Sequence, residues 1–191
     1  SQFFGLLAAI AVALISRAEW NASAVPHAML ASVTGFAGLM MFYKALATGR
    51  MGIVSPIASL GVLVPLAFGL LSGEIPSAIQ IIGIIIAVVG IVLASGPELT
   101  GAADPKPVLL AIGAAIGFGT CFLFIARGSE YSVATTMVVM RLQTVPIAAV
   151  IALLTKSFVR PQRSEVGWLA IIGAFDNGAN LAMGYAASLG M

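Results

Sequence analysis

Three polar residues, Asp176, Asn177 and Asn180, interrupt an otherwise apolar stretch at 166–189. Asp176 and Asn180 stand four residues apart and so share one face of a helix. A carboxylate at the centre of a helix in hydrocarbon costs about 2.5–3.5 kcal/mol on insertion scales. Asp176 is therefore expected to face the interior of a helix bundle. There it either contacts a solute or carries a proton, or it pairs with a buried cation and locks two helices together. Gly173, Gly178 and Gly184 are expected to leave room beside it. The cation nearest in character is Arg141, which lies with Gln143 well inside the apolar stretch 132–155, too deep to extend easily to either end. Arg141 serves as counter-ion to Asp176 or meets an anionic group of a solute. Gln143, and Gln2 in the first apolar stretch, are further polar groups able to meet a polar solute.

Pro56 and Pro65 fall within one apolar run, where each removes a helical hydrogen bond and can kink or break the helix. That makes the run a hinge or a static kink. Tyr43 and Lys44, near a helix end, fit the aromatic belt and a stem that extends to the headgroups. Glu74 precedes Pro76 at a helix boundary and reads as a cap or interhelical contact, and His27, beside Pro26, as interfacial. The single cysteine, Cys121, excludes an intramolecular disulfide and reads as a small packing residue.

The elements that must hold these groups follow from composition. The 191 residues are 60% hydrophobic and 8% charged, with a mean hydropathy of +1.10, a balance that cannot solvate the surface of a soluble domain. Nine Lys and Arg against seven Asp and Glu are too few and too dispersed for a nucleic-acid partner. Spanning about 30 Å of hydrocarbon takes about 20 apolar residues in a helix. Seven stretches meet or approach that length, at 2–16, 27–48, 52–73, 76–95, 107–126, 132–155 and 166–189. Their continuous apolarity predicts helices rather than alternating barrel strands. The fold class is all-α integral membrane, a polytopic bundle. Gly113, Gly117 and Gly119, and Gly83 with Gly90, are expected at close helix approaches. Starting at Ser1 within an apolar stretch and stopping at Met191 just after one, the chain reads as a fragment, with 2–16 a bundle helix rather than a signal peptide.

Sliding the chain on itself by 141 residues aligns Gln2 with Gln143, Ile10 with Ile151, Ala11 with Ala152, Ser16 with Ser157, Ala45 with Ala186 and Gly49 with Gly190. The boundaries of the apolar stretches coincide without a gap. Stretches one and two thus recur as six and seven, a repeat of five helices, and an odd repeat inverts its second copy. The seven spans belong to an expected ten, an inverted pair of five. The first copy occupies 1–97 and lacks its first helix, 98–106 is the inter-repeat loop, and 107–191 is the second copy without its last two helices.

The segment Tyr43-Lys44-Ala45-Leu46, then Ser55-Pro56-Ile57-Ala58-Ser59-Leu60 through Pro65, then Gly73-Glu74 and the run from Gln80 to Gly90, resembles the EamA-type unit of the drug/metabolite transporter superfamily. The order and spacing of these parts carry the resemblance. Gly113 to Gly119, Arg141, and the helix from Gly173 to Asn180 are similar to the opening of the second repeat. The resemblance covers nearly the whole chain and about seven of the family's ten helices.

It implies a secondary transporter of small metabolites, gradient-driven or facilitative, working by alternating access as an exporter or permease of amino-acid-like or drug-like solutes. The solute path read from the polar residues themselves would include Asp176, Asn177, Asn180, Arg141, Gln143 and Gln2. The implied location is a bacterial-type inner membrane, with lipid and a small solute as partners, a coupling proton or sodium ion open, and a homodimer compatible. No cofactor or metal is implied. Metal-spaced His/Cys clusters, phosphate-cradling loops and G-x-S-x-G are lacking, so an enzyme is not expected. A seven-helix receptor or a non-transporting helper subunit is the alternative, and neither predicts a five-helix repeat. Orientation divides the arguments. Arg50, Lys106, Lys156, Arg160 and Arg163 fall on one side against Arg17 and Arg127 on the other, which makes the first side cytoplasmic by charge. The family pattern places Arg17 and the termini there instead, and is followed.

Overall fold

The computed structural model describes residues 2–15, 19–73, 75–95, 105–155 and 162–189. Among them are helices, short 3-10 turns and no strand. In chain order the helices are α1 (Gln2–Ile15), α2 (Val25–Thr48), α3 (Met51–Ser59), α4 (Leu63–Leu71), α5 (Ala78–Ser95), α6 (Pro105–Tyr131), α7 (Val133–Leu154) and α8 (Arg163–Ser188). Among the described residues, four helical stretches are long and apolar enough to cross a membrane: Ala22–Thr48, Met51–Leu71, Pro105–Tyr131 and Val133–Leu154. Gln2–Ile15 and Ala78–Ile91 are apolar but shorter. The seventh expected span, α8, has the length but is not among these four, because its polar residues dilute its apolarity.

Two compact units divide the chain. Residues 34–123 form one, 1–33 with 124–191 the other. In the 34–123 unit, α2 and α6 meet backbone to backbone. A methyl group added to Gly117 would lie 2.7 Å from Cα of Gly38 and 3.0 Å from the Thr34 carbonyl oxygen, so Gly117 tolerates no side chain. Gly113 faces the Met41 sulfur and Gly35 the Cys121 sulfur in the same way, which confirms Cys121 as a packing residue. Ala45, Val54 and Ala111 are buried at the centre of a cluster that Phe42, Leu46, Ile57 and Leu110 surround, so Ala45 and Leu46 of the family-like motif are packing residues.

The proline-bearing stretch is broken, with a 3-10 turn at Leu60–Val62 separating α3 from α4. Pro65 has no N–H to give the carbonyl of Gly61, and that carbonyl oxygen lies against Gly119 of α6. An added methyl at Gly61 would in turn sit 2.6 Å from the Ala115 carbonyl oxygen. Two glycines thus let α6 fit against the break, while α3 continues helical through Pro56. After α4, Gly73 takes φ +89°, a left-handed conformation that stops the helix and favours glycine. Glu74, Arg17, Lys156, Arg160 and the loop residues 98–104 lie outside the described residues. So do Ser16, Ser157 and Gly190 of the repeat register.

One packing expectation is corrected. Gly83 and Gly90 are not at a helix contact, since nothing lies within 4 Å of a methyl built on either. The α5 face that carries them looks onto open space. Gly113, Gly117 and Gly119 do stand at close approaches.

Candidate functional site

The 1–33 and 124–191 unit is built on α1, α7 and α8, each of which packs against the other two. Local chemistry sets where the latter two begin. Ser132 in extended conformation caps α7, its Oγ accepting from the Thr135 N–H at 3.2 Å and donating to the Glu19 carbonyl at 3.1 Å. Gln162 and Glu165 form a reciprocal capping box at the start of α8. Starting there, α7 carries Arg141 about 12 Å along its axis and α8 carries Asp176 about 20 Å along its own.

Those two side chains meet. The Arg141 Nη2 donates to Asp176 Oδ2 at 2.7 Å, and Nη1 donates to Gln2 Oε1 of α1. Asn180, one turn beyond Asp176, donates from Nδ2 to the Asp176 carbonyl oxygen at 2.8 Å and to Oδ1 at 3.4 Å. One guanidinium therefore ties three helices, and four of the six residues expected on a solute path form one network. Gly5 of α1 lies at this convergence: a methyl built there would be in ordinary contact with the Gly173 carbonyl oxygen at 3.4 Å and the Arg141 guanidinium at 3.5 Å. Any longer side chain would occupy the space of the guanidinium.

The two charges are unequally covered. The Arg141 side chain is 4% exposed and that of Asp176 48%. Protein covers the cation and leaves the carboxylate half open. Arg141 Nε is buried without a hydrogen-bond partner, so the fork that could hold a carboxylate bidentately is used at only one nitrogen by Asp176.

Asn177 and Gln143 stand apart from the network. Asn177 is 1% exposed on the buried stripe of α8 with Gly173 and Gly184, and its Oδ1 has no partner. Gln143 follows Arg141 by two residues, about 200° around α7, and its Oε1 is likewise buried and unpartnered. Of the neighbouring glycines, Gly178 faces open space as expected, but Gly184 does not make room, since a methyl there would sit 2.8 Å from Ser129 Oγ.

Other contacts lay outside the sequence reading. Ser32 of α2 and Thr144 of α7 share a buried hydrogen bond of 2.8 Å, and Thr144 also donates to the Met140 carbonyl. Thr144 lies three residues from Arg141, so this bond fixes the same side of α7. Its only trace in the sequence is the i, i+3 spacing. His27 stacks on Tyr131 at 5.7 Å and contacts the Ser23 carbonyl, consistent with a place at the helix end. Among the described residues no three His, Cys, Asp or Glu side chains stand together as a metal site. No protein-family model, curated protein or solved structure matches the chain.

Proposed function

We propose that this chain forms most of a membrane transporter that moves a small solute past the Arg141–Asp176 pair by alternating access. One observation carries the reading. A buried guanidinium midway along its helix is held by a carboxylate that the protein leaves half open. Ionisable groups within spanning helices face a bundle interior or a water-filled cavity, because lipid would penalise them. The open side of Asp176 therefore faces a polar path. A structural lock alone does not require that one partner stay open. A half-covered carboxylate is instead free to exchange its partner, for a proton or for the cationic group of a solute. An anionic group could take the unused edge of Arg141.

The five-helix repeat supports the same reading. Its register equates α1 with the C-terminal half of α7, and these two helices pack together beside the pair. In an inverted pair of five helices, which the resemblance to EamA-type transporters also implies, sites form where the repeats meet. Multiple crossings of a bacterial-type inner membrane belong to the same proposal. The test is flux of radiolabelled metabolites into vesicles holding the complete protein. Asp176→Asn is expected to abolish or uncouple transport at unchanged expression. Unchanged flux would reduce the pair to a structural role.

A further inference from the structure

Asn177 of α8 is 1% exposed, and its Oδ1 accepts no hydrogen bond among the described residues. The Arg141 Nε is a donor in the same condition, buried and unpartnered. Unpaired polar atoms are costly in a native core, so an acceptor and a donor left over together call for a reason.

Both lie in the core formed by α1, α7 and α8. A methyl built on Gly5 would contact the Arg141 guanidinium and the Gly173 carbonyl oxygen together, so Gly173 marks the level of the guanidinium on α8. A methyl built on Gly184 would lie 3.1 Å from Val133 Cγ1 and 3.6 Å from Met137 Cε, so the other end of the same buried stripe follows α7 toward its start. Asn177 stands between these points, one turn and about 6 Å along the axis from Gly173. Its level on α7 therefore falls between Met137 and Arg141, which are themselves one turn apart. Asp176 meets the guanidinium at the half-open edge of the core, and the next residue keeps its amide inside.

Exchange at Asp176 creates a need for such an amide. When the carboxylate turns to the cationic group of a solute, the enclosed guanidinium keeps its bond to Gln2 and loses its counter-charge. A buried charge that loses its partner is strongly disfavoured. A second acceptor within reach lowers that penalty. A neutral amide suits the task because it holds a guanidinium more weakly than a carboxylate does, so Asp176 keeps Arg141 at rest and recovers it afterwards. Gln143 stands about 200° around α7 from Arg141 and serves another side.

We infer that Asn177 is the second acceptor of Arg141: the guanidinium passes from Asp176 Oδ2 to Asn177 Oδ1 when the carboxylate takes up a cationic group, and returns when that group leaves. Asn177 is thus a positioning residue, acting on a solute only through Arg141. The hand-over serves transport only if Asp176 exchanges its partner as proposed above.

Thermal unfolding of the complete protein in one mild detergent tests the contact with no solute present. Asp176→Ala strands Arg141 and leaves Asn177 as its acceptor. Asn177→Ala is therefore expected to lower the melting temperature by several degrees more in Asp176→Ala than in the unaltered protein, where the amide is unpaired. Moving the carboxylate by one residue, as Asp176→Ala with Asn177→Asp, should regain most of the melting temperature that Asp176→Ala loses. Equal losses from Asn177→Ala in the two backgrounds would overturn the inference. So would a transplanted carboxylate that melts no higher than Asp176→Ala or does not fold, because a carboxylate at 177 beyond reach of Arg141 is an unpaired buried charge. These melting temperatures judge Asn177, and the flux of Asp176→Asn judges the transport reading, so either can fail while the other stands.

Discussion

Arg141 offers five N–H donors in a rigid plane, and the structure uses two of them on different helices. A lysine cannot reach Gln2 and Asp176 in the same geometry. Arg141→Lys is therefore expected to keep the positive charge yet lower flux about tenfold, the equivalent of one hydrogen bond of about 1.4 kcal/mol. Initial rates in vesicles at matched protein content check this. Removing only one charge strands the other: Arg141→Leu should lower the melting temperature in mild detergent, and adding Asp176→Asn should recover most of the loss. Coupling of about 0.5–3 kcal/mol in that double-mutant cycle is expected for residues in contact, and additive losses would show that the pair stabilises nothing. Much of this network was legible, because a charge in an apolar run is conspicuous and the i, i+4 spacing puts Asn180 beside Asp176. Gln2 entered through the repeat register. Gly5 did not, since a glycine's task depends on which helix crosses it, and Gln143 was grouped with Arg141 although two residues along a helix turn it to another side.

At the scale of elements, the glycines separate into those that something crosses and those that nothing does. Gly119 lies against the Gly61 carbonyl oxygen and the Val64 side chain, whereas Gly90 faces open space. Gly119→Ala must push α6 off the break between α3 and α4 and is expected to cost about 1–3 kcal/mol, as overpacking does. Gly90→Ala should be neutral or stabilising by up to about 1 kcal/mol through helix propensity. Thermal unfolding of the two variants in one detergent decides, and equal effects would contradict the packing described. Composition alone grouped these glycines, because the same residue type serves a close contact and an open face. The break itself was readable from Pro65, but its place at Leu60–Val62 depends on Gly61 fitting under α6, a long-range contact that no local pattern records.

Over the whole molecule, continuous apolar runs made the all-α class and the membrane-crossing helices legible, while the lower apolarity of α8 reflects the polar residues that make it interesting. The proposed topology puts three crossings between Met51 and Glu130, so these positions must lie on opposite sides of the membrane. Met51→Cys and Glu130→Cys, both at exposed positions, should differ in labelling by an impermeant thiol reagent applied from one side. Labelling of both from the same side would break the odd count on which the inverted repeat rests. The most direct test of a path at Asp176 uses its exposed neighbour Ala179, three residues along the same face of α8, as Ala179→Cys with the buried Cys121 changed to Ala. Alternating access predicts that impermeant thiol reagents reach position 179 from each side of the membrane in turn, with a transported solute slowing both reactions. A thiol that neither side can reach would contradict the account.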